Sequence, residues 1–176
     1  DGERTRLVPQ FSYYNGPFGL TGEYVREKQD ITRAVAGTQR TDALEHNGWD
    51  LTASYTLTGE KASGKNMKPA KPFDPANGGW GAWELVAGIG QLNIDRNTFR
   101  DSTGNFGGSD SFASPTSAAS QAQNHTLGVN WYLNNVLRLS LDYSDTAFDG
   151  GGGGTAAHPD DLENERVLTG RVQANF

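Results

Sequence analysis

The chain contains no cysteine, one methionine and few hydrophobic residues. The lack of cysteine excludes a disulfide framework and a thiolate metal site. No run of about 18 apolar residues occurs, which excludes a membrane-spanning helix. Only 35% of the 176 residues are hydrophobic, a small supply of core for a soluble domain. A β-barrel with a polar interior needs apolar residues on only one face of each strand, so this composition is compatible with such a protein.

Signals for chemistry are also lacking. The net charge of -6 argues against a nucleic-acid binder. His46, His125 and His158 are scattered without ligand spacing, so no metal is expected. The glycine run from Gly150 to Gly154 lacks the Lys-Ser or Lys-Thr of a phosphate-binding loop, and no G-x-S-x-G motif occurs. The sequence therefore predicts neither an enzyme nor a cofactor.

The pattern that is present is alternation, most clearly at the end of the chain. From Leu168 onward every second residue is apolar or small, and the residues between are polar. The first set is Leu168, Gly170, Val172, Ala174 and Phe176, and the second is Thr169, Arg171, Gln173 and Asn175. Because successive side chains of a strand point to opposite faces, this segment predicts a strand with one apolar and one polar face.

The same alternation recurs upstream and predicts seven strands in all. The first covers residues 5–14, although Pro9 interrupts it, and Asn15-Gly16-Pro17 predicts a tight turn. The others are predicted at 18–24, 49–58, 80–95, 127–133, 137–144 and the end of the chain. Leu92 and Ile94 are out of phase with Trp83–Ile89, which predicts a β-bulge near Gly88 or Gly90.

The connections between these strands differ in length. The sequence predicts long loops at 26–47, 96–122 and 149–164, the first partly extending the flanking strands, and a short turn at Asn134-Asn135. The long loops then share one side, and a proline-rich connector at 59–79 is the exception on the short side. Aromatic residues are predicted near strand ends, as in a membrane girdle: Tyr13, Tyr24, Trp49, Trp83, Trp131, Tyr143 and Phe176.

These features favour an all-β fold, a transmembrane antiparallel β-barrel, with short turns on one side and long loops on the other. A soluble β-sandwich remains the alternative, since seven short antiparallel strands also suit that architecture.

Several segments together resemble one family. They are Asn47-Gly-Trp-Asp-Leu-Thr-Ala-Ser-Tyr-Thr-Leu-Thr-Gly-Glu60, Lys68-Pro-Ala-Lys-Pro-Phe-Asp-Pro75, Gly78-Gly-Trp-Gly-Ala-Trp-Glu-Leu85 and Leu127-Gly-Val-Asn-Trp-Tyr-Leu-Asn134, with the Phe176 terminus. From about Tyr14 onward the chain resembles the carboxyl-terminal half of the phosphate-selective porin O/P family of Gram-negative outer membranes. The resemblance implies a sixteen-stranded, trimeric barrel that passes phosphate or polyphosphate. About seven of those strands are present, so residues 1–176 are expected to form a single segment of a longer barrel.

Strand parity identifies cations that face away from the apolar side, since anion pores are lined by Arg and Lys. Arg6, Arg138 and Arg171 have this parity. The alternative is that they form wall ion pairs with Asp142, Glu23 or Glu84. Lys61, Lys65, Lys68 and Lys71 of the connector are candidates for a vestibule that gathers anions, or form a solvated turn.

The expected function is an outer-membrane porin, a passive diffusion channel for small anions with phosphate or polyphosphate preferred. The expected partners are those anions, outer-membrane lipid and lipopolysaccharide, and two further copies in a homotrimer. A soluble extracellular ligand-binding module and a non-selective or structural barrel are the alternatives. Acids between Asp145 and Glu163 predict a solvated loop, with Ca²⁺ or bridged lipopolysaccharide as its other interpretation.

Overall fold

The computed structural model describes residues 2–35, 37–64 and 67–175. One large antiparallel sheet dominates it, in the order β1–β3–β4–β5–β6–β7–β10, with β2 also paired to β3. Its strands are β1 (Arg4–Leu7), β2 (Gln10–Asn15), β3 (Phe18–Val35), β4 (Thr38–Thr56), β5 (Ala82–Asn93), β6 (Gln121–Tyr132), β7 (Leu137–Asp149) and β10 (Glu165–Ala174). A two-stranded sheet, β8 (Gly151–Gly154) with β9 (Pro159–Asp161), and two 3₁₀ helices, Pro75–Asn77 and Arg96–Phe99, complete it.

Within the described ranges, no helix is both long and apolar enough to cross a membrane.

The predicted first strand is divided in two around Pro9. β1 and β2 both pair with β3, and the Pro9 carbonyl still accepts a hydrogen bond from the Tyr24 amide at 3.0 Å. Proline has no amide hydrogen to donate, so the ladder is interrupted at an edge strand, where such a loss is tolerated. The predicted turn follows, with Gly16 at a φ of 56°.

The long loop predicted at 26–47 is wrong in its main part, because β3 and β4 form one continuous hairpin with paired residues from Phe18–Tyr55 to Val35–Thr38. Its polar sequence is satisfied across the strands. Arg26 donates to both carboxylate oxygens of Glu45 at 2.7 and 2.6 Å, and the hydroxyls of Thr32 and Thr41 lie 2.8 Å apart. Such cross-strand pairs stabilise a hairpin that carries no apolar face, so polarity alone does not indicate a loop.

The predicted β-bulge near Gly88 or Gly90 is also wrong. β5 pairs residue by residue with β4 and with β6 through this region. Leu92 therefore faces the polar side, in the row of Val25 and Gly48, and an alanine Cβ at position 48 would lie 3.5 Å from its Cδ1. The change of phase marks an apolar patch on the polar face rather than an inserted residue.

The two faces of the sheet differ sharply. One face, the apolar face, carries large side chains that remain exposed: Leu127 is 65%, Leu168 69% and Val172 73% exposed. The buried apolar residues of the described chain lie elsewhere: Leu44 in the extended part of β4, Phe99 in the loop after β5, Ala82 and Tyr132 at the ends of β5 and β6, and Ala62 and Met67 in the connector. No second sheet covers the apolar face in the part of the chain described, so the sandwich alternative is wrong. The opposite face, the polar face, carries Thr, Ser, Asn and charged side chains.

Aromatic side chains bound the apolar face at both ends. Tyr24 and Trp49 are paired at one end, and Trp83 and Trp131 stack at 4.8 Å at the other. The segment Trp49–Leu57 that separates these levels is nine residues long, within the about 9–11 residues of a barrel strand that crosses a bilayer. Tyr143 lies at the centre of β7 rather than near its end, and the predicted aromatic at Phe176 lies outside the described residues.

The connections segregate as predicted. At the end that we call the long-loop end, β3 and β4 extend beyond Tyr24 and Trp49, and two loops join β5 to β6 and β7 to β10. The second of these loops contains β8 and β9. The short-turn end carries the turns at Gly16 and at 133–136, where the Asn134 side chain accepts from the amides of Val136 and Leu137 at 2.8 Å. The connector, residues 57–81, also lies at this end.

Candidate functional site

The polar face is mostly acidic. Residues that are paired side by side across the sheet form a row. Between the row of Gln10 and the row of Gln173, five acids and two arginines point to this face: Glu23, Asp50, Glu84, Asp142 and Glu165, with Arg138 and Arg171. Asp50, Asp142 and Glu165 have no side-chain hydrogen bond or ion pair to other described residues, and Glu23 accepts from Gln10. The cations, although fewer, are concentrated at the short-turn end.

Arg6 forms an ion pair with a carboxylate. Its guanidinium donates to Oε2 of Glu27, at 2.8 Å from Nε, and Arg4 donates to the same carboxylate at 2.8 Å. Hydrogen bonds from Arg4 and then from Arg6 lower the pKa of Glu27 to about 2. Glu27 lies three residues beyond Tyr24, outside the membrane-spanning part of β3. The predicted ion pairing of Arg6 is therefore present, with Glu27 rather than with Asp142, Glu23 or Glu84.

A cavity of about 450 Å³ adjoins this cluster on the polar face. Arg6, Glu23, Glu27, His46 and Asp50 are among its lining residues. Three carboxylates thus surround one arginine that already has a partner, and this arrangement does not favour an anion.

Arg138 differs from Arg6 in having no ion pair with a described residue. Its Nη2 donates to Oε1 of Gln173 at 2.6 Å and its Nη1 to the hydroxyl of Tyr132 at 3.4 Å. The guanidinium carbon lies 5.5 Å from the centroid of the Tyr132 ring. Its Nε is buried and has no hydrogen-bond partner. A buried charged donor without a partner is costly, so this nitrogen marks a place where an anion or a water is expected.

Arg171 lies next to Arg138 and is also unpaired. Arg171 is opposite Ser140, and Arg138 is opposite Gln173, so the two arginines are diagonal neighbours on the polar face of β7 and β10. Arg171 is exposed and has neither a hydrogen bond nor an ion pair to a described residue. The two side chains place adjacent positive charges at the short-turn end.

The connector covers the neighbouring part of the polar face. Met67 is buried in a cluster with Ala82 and Tyr132, and the Thr56 hydroxyl donates to its sulfur at 3.9 Å. The Ala62 amide bonds to the Gly16 carbonyl at 2.8 Å. Because these contacts close the ends of β4, β5 and β6, the polar face stays open at this end beside β7 and β10, where the two arginines lie.

The connector also contacts the apolar face. Phe73 packs edge-on against Trp131 at 5.1 Å, and the indole nitrogen of Trp131 donates to the Trp80 carbonyl at 2.7 Å.

The predicted lysine cluster lies on the surface of the connector. Lys61, Lys68 and Lys71 have exposed side chains on the connector, at the short-turn end. Lys65 lies outside the described residues.

The three long connections form one packed body at the long-loop end. Arg40 of β4 lies 4.6 Å from the Phe112 ring centroid, forms an ion pair with Asp42 at 2.9 Å, and donates to the Asp110 carbonyl at 3.4 Å. The Glu45 amide donates to Asp95 at 2.8 Å. The amides of Gly151 and Gly153 bond to the carbonyls of Pro115 and Thr116 at 2.9 and 3.0 Å, which adds the β8–β9 loop.

The loop that joins β5 to β6 is ordered by local carboxylate contacts. The Asp101 carboxylate accepts hydrogen bonds from the Thr103 hydroxyl at 2.8 Å and from the amides of Thr103 and Asn105 at 2.9 and 2.7 Å. These bonds, of which the one from the hydroxyl has the largest effect, lower the pKa of Asp101. In the described chain, no group of three or more His, Cys, Asp or Glu side chains is placed to hold a metal ion.

Comparison with known proteins agrees with this geometry. A family described as phosphate-selective porin O and P matches residues 1–176. The chain belongs to this family. It is also 30% identical over 132 residues to Porin O of Pseudomonas aeruginosa, a match that covers 73% of this chain and 26% of that relative. The porin is a bacterial outer-membrane protein, and its open sheet is part of a β-barrel.

Sequence reasoning missed the groups that surround Arg138. Tyr132 and Gln173 contact it directly, and neither was a candidate. Glu84, which was expected only as a possible ion-pair partner, is linked to it through the Tyr132 hydroxyl. The signal was present in the porin sequence, because the turn at Asn134-Asn135 fixes the register of β6 and β7 and so places Tyr132 opposite Arg138. The packing of Met67 over Tyr132 had no such signal, since a proline-rich connector has no periodicity from which its contacts follow.

Proposed function

We propose that this porin forms a passive diffusion channel for small anions, and that Arg138 and Arg171 are the anion contacts in the described part of its lumen. The observation that carries the proposal is their adjacency on the lumen face without an ion pair to any described residue. Guanidinium groups match phosphate oxygens with a planar fork and keep their charge at all physiological pH values. Transport then follows from local charge and pore width, and requires no chemical step and no cofactor.

The proposal is tested on the full-length protein in planar lipid bilayers. The reversal potential in a salt gradient gives the anion-to-cation permeability ratio for the wild type, for R138Q/R171Q and for R6Q as a matched control. We expect the double variant to lower the ratio strongly and R6Q to lower it less, because R6Q removes one positive charge rather than two and that charge already faces the Glu27 carboxylate. An unchanged ratio in R138Q/R171Q would remove both residues from the pathway.

Phosphate or polyphosphate is the proposed preferred anion, and inhibition of chloride conductance by phosphate is the measurement. Lys61, Lys65, Lys68 and Lys71 are proposed to gather anions near the short-turn end. Stepwise Lys→Gln exchange should weaken the inhibition by phosphate at low ionic strength and leave it unchanged at high ionic strength, where exposed charges are screened. Equal effects at both ionic strengths would contradict the vestibule role.

A non-selective barrel is the second candidate, and one observation favours it. Between the row of Gln10 and the row of Gln173, five acids and two arginines line the lumen face, so the net charge of this part of the wall does not favour anions. A reversal potential near zero for the wild type would support this candidate against anion selectivity.

Assembly is also proposed. The outer edges of β1, β2 and β10 are unpaired among the described strands, and exposed edges attract further strands. We propose that additional strands close a sixteen-stranded barrel, that three copies form a homotrimer, and that lipid and lipopolysaccharide contact the apolar face and its rim. The mass of the native protein in detergent, before and after heating, tests the trimer.

A further inference from the structure

Two ionisable residues on the lumen face are buried. Glu84 is 8% exposed and Tyr132 is 4% exposed, and both lie at the short-turn end next to Arg138. Acids are seldom buried without a partner. The partners of Glu84 are neutral: Tyr132 donates to its Oε2 from the phenol at 2.9 Å, and Asn130 donates to the same oxygen from Nδ2 at 2.9 Å.

Tyr132 stands between the carboxylate and the arginine. Its hydroxyl donates to Glu84 on one side and accepts from Nη1 of Arg138 at 3.4 Å on the other. The three residues belong to β5, β6 and β7, and neighbouring strands lie about 4.8 Å apart. Glu84 and Arg138 are therefore about two strand spacings apart across the sheet and two residues apart along the strands, a gap that an extended arginine and a glutamate can bridge. The structure nevertheless contains no ion pair between them.

The position of Tyr132 is fixed from several directions. The connector places Met67 over it, Ala82 packs beside it, and Asn130 is itself held by the hydroxyl of Ser140, which donates to its Oδ1 at 2.6 Å. Arg138 is held on its far side by Gln173 at 2.6 Å. The guanidinium is thus bonded to Tyr132 and Gln173 rather than to Glu84, and its Nε is left without a partner among the described residues.

We propose that Tyr132 is a positioning residue that keeps Arg138 out of an ion pair with Glu84, so that the arginine charge remains available to anions in the lumen. The inference rests on the proposed anion pathway and deepens it. Removing the phenol oxygen would leave the carboxylate without one donor and the guanidinium without one acceptor. Each group is then expected to turn to the other, because an Arg–carboxylate bond is charge-assisted and stronger than the bonds lost. The Arg138 charge would then be opposed by a carboxylate, as the Arg6 charge is by Glu27.

The experiment is a double-mutant cycle on the full-length protein, with Y132F, E84Q and Y132F/E84Q. Phenylalanine keeps the ring that packs on Met67 and Ala82, and glutamine keeps an acceptor for Asn130 without the charge. We expect Y132F to lower the anion-to-cation permeability ratio by most of the loss seen in R138Q. We expect Y132F/E84Q to have the same ratio as E84Q alone, since no carboxylate remains for Arg138 to pair with. A crystal structure of Y132F should show Arg138 and Glu84 within 4.0 Å.

A purely structural role gives a different result, because Y132F/E84Q would then stay below E84Q by the same factor as Y132F stays below the wild type. That outcome, or an Arg138 that stays away from Glu84 in the Y132F structure, overturns the inference. The failure of the underlying function is distinguishable. If R138Q leaves the permeability ratio of the wild type unchanged, the assignment of Arg138 to the pathway is wrong. If R138Q lowers the ratio and Y132F does not, the pathway stands and the role of Tyr132 is rejected.

Discussion

The two ends of the lumen face use arginine in opposite ways. At the long-loop end, Arg4 and Arg6 share the Glu27 carboxylate, and Glu23 and Asp50 lie nearby on β3 and β4. At the short-turn end, Arg138 is bonded to neutral groups and Arg171 to no described group. The number of arginines is the same, but their available charge is not. In the proposed channel, selectivity would depend on which cations remain unpaired, and not on how many the sequence contains.

The surroundings explain this difference. The hairpin beyond Tyr24 and Trp49 is polar on both faces, so its strands are held together by cross-strand ion pairs. In these pairs each arginine charge is opposed by a carboxylate. The short-turn end is held by apolar and neutral contacts, with Met67, Ala82 and Tyr132 forming a small core. Where packing and neutral hydrogen bonds maintain the structure, charged side chains are free for function.

Reversing one charge at the short-turn end should have the largest effect. R171E replaces an unpaired cation with an anion beside Asp142, a change of two charges. At about 1 kcal/mol per charge in a water-filled lumen, the anion-to-cation permeability ratio should fall by roughly thirtyfold. Reversal potentials in bilayers measure it. R6E at the other end is the matched control, and an equal effect there would erase the contrast between the two ends.

Releasing the paired arginines should have a smaller effect of opposite sign. E27Q removes the carboxylate that holds Arg4 and Arg6, and so adds one net positive charge to the long-loop end. We expect the permeability ratio for anions to rise by about fivefold, with E45Q, whose partner Arg26 faces outward, as the control. No rise in E27Q would mean that pairing does not limit the contribution of Arg6.

Neutralising an acid at the long-loop end should have a smaller effect still. Asp50 faces the lumen without a partner among the described residues. D50N should raise anion conductance by about twofold at low salt and by less at high salt, because ions screen an exposed charge. Single-channel conductance over a range of salt concentrations measures this. A decrease in anion conductance would show that Asp50 supports the pathway instead of opposing it.

Mild acid should have almost no effect on the paired cluster. Because the pKa of Glu27 is lowered to about 2, the stabilisation from its pairing is complete above the ordinary pKa near 4.5 and is lost only as the pH falls through about 2. Between about pH 7 and pH 4, Arg6 should therefore stay paired. A carbon-13 NMR titration of Glu27 checks this directly, and a midpoint above about 4 would contradict the strength of the cluster.

The sequence predicted the parts of this fold that depend on alternation. The strand at Trp49–Leu57, the strands on either side of Asn134-Asn135 and the last strand follow from a period of two, and the parity of Arg6, Arg138 and Arg171 followed with them. The extended hairpin was missed because Lys28, Arg33 and Asp42 have no apolar face to reveal a strand. The bulge was inferred from Leu92 because an apolar residue on the lumen side imitates a register shift.

The candidate site was predicted only in part, and for a physical reason. Parity states the face to which an arginine points, but its partner depends on reach and on neighbouring strands. Arg6 forms an ion pair with Glu27, whereas Arg138 is separated from Glu84 by a tyrosine that the connector holds in place. Contacts made by the connector depend on tertiary packing, and no local pattern encodes them.

Anomalous diffraction from crystals soaked in bromide shows whether anions bind where arginine is unpaired. Bromide is a small anion whose position is visible without assumptions about the side chains. We expect anomalous peaks in contact with the guanidinium groups of Arg138 and Arg171 and none at Arg6. Peaks at Arg6, with none at Arg138 or Arg171, would contradict this expectation.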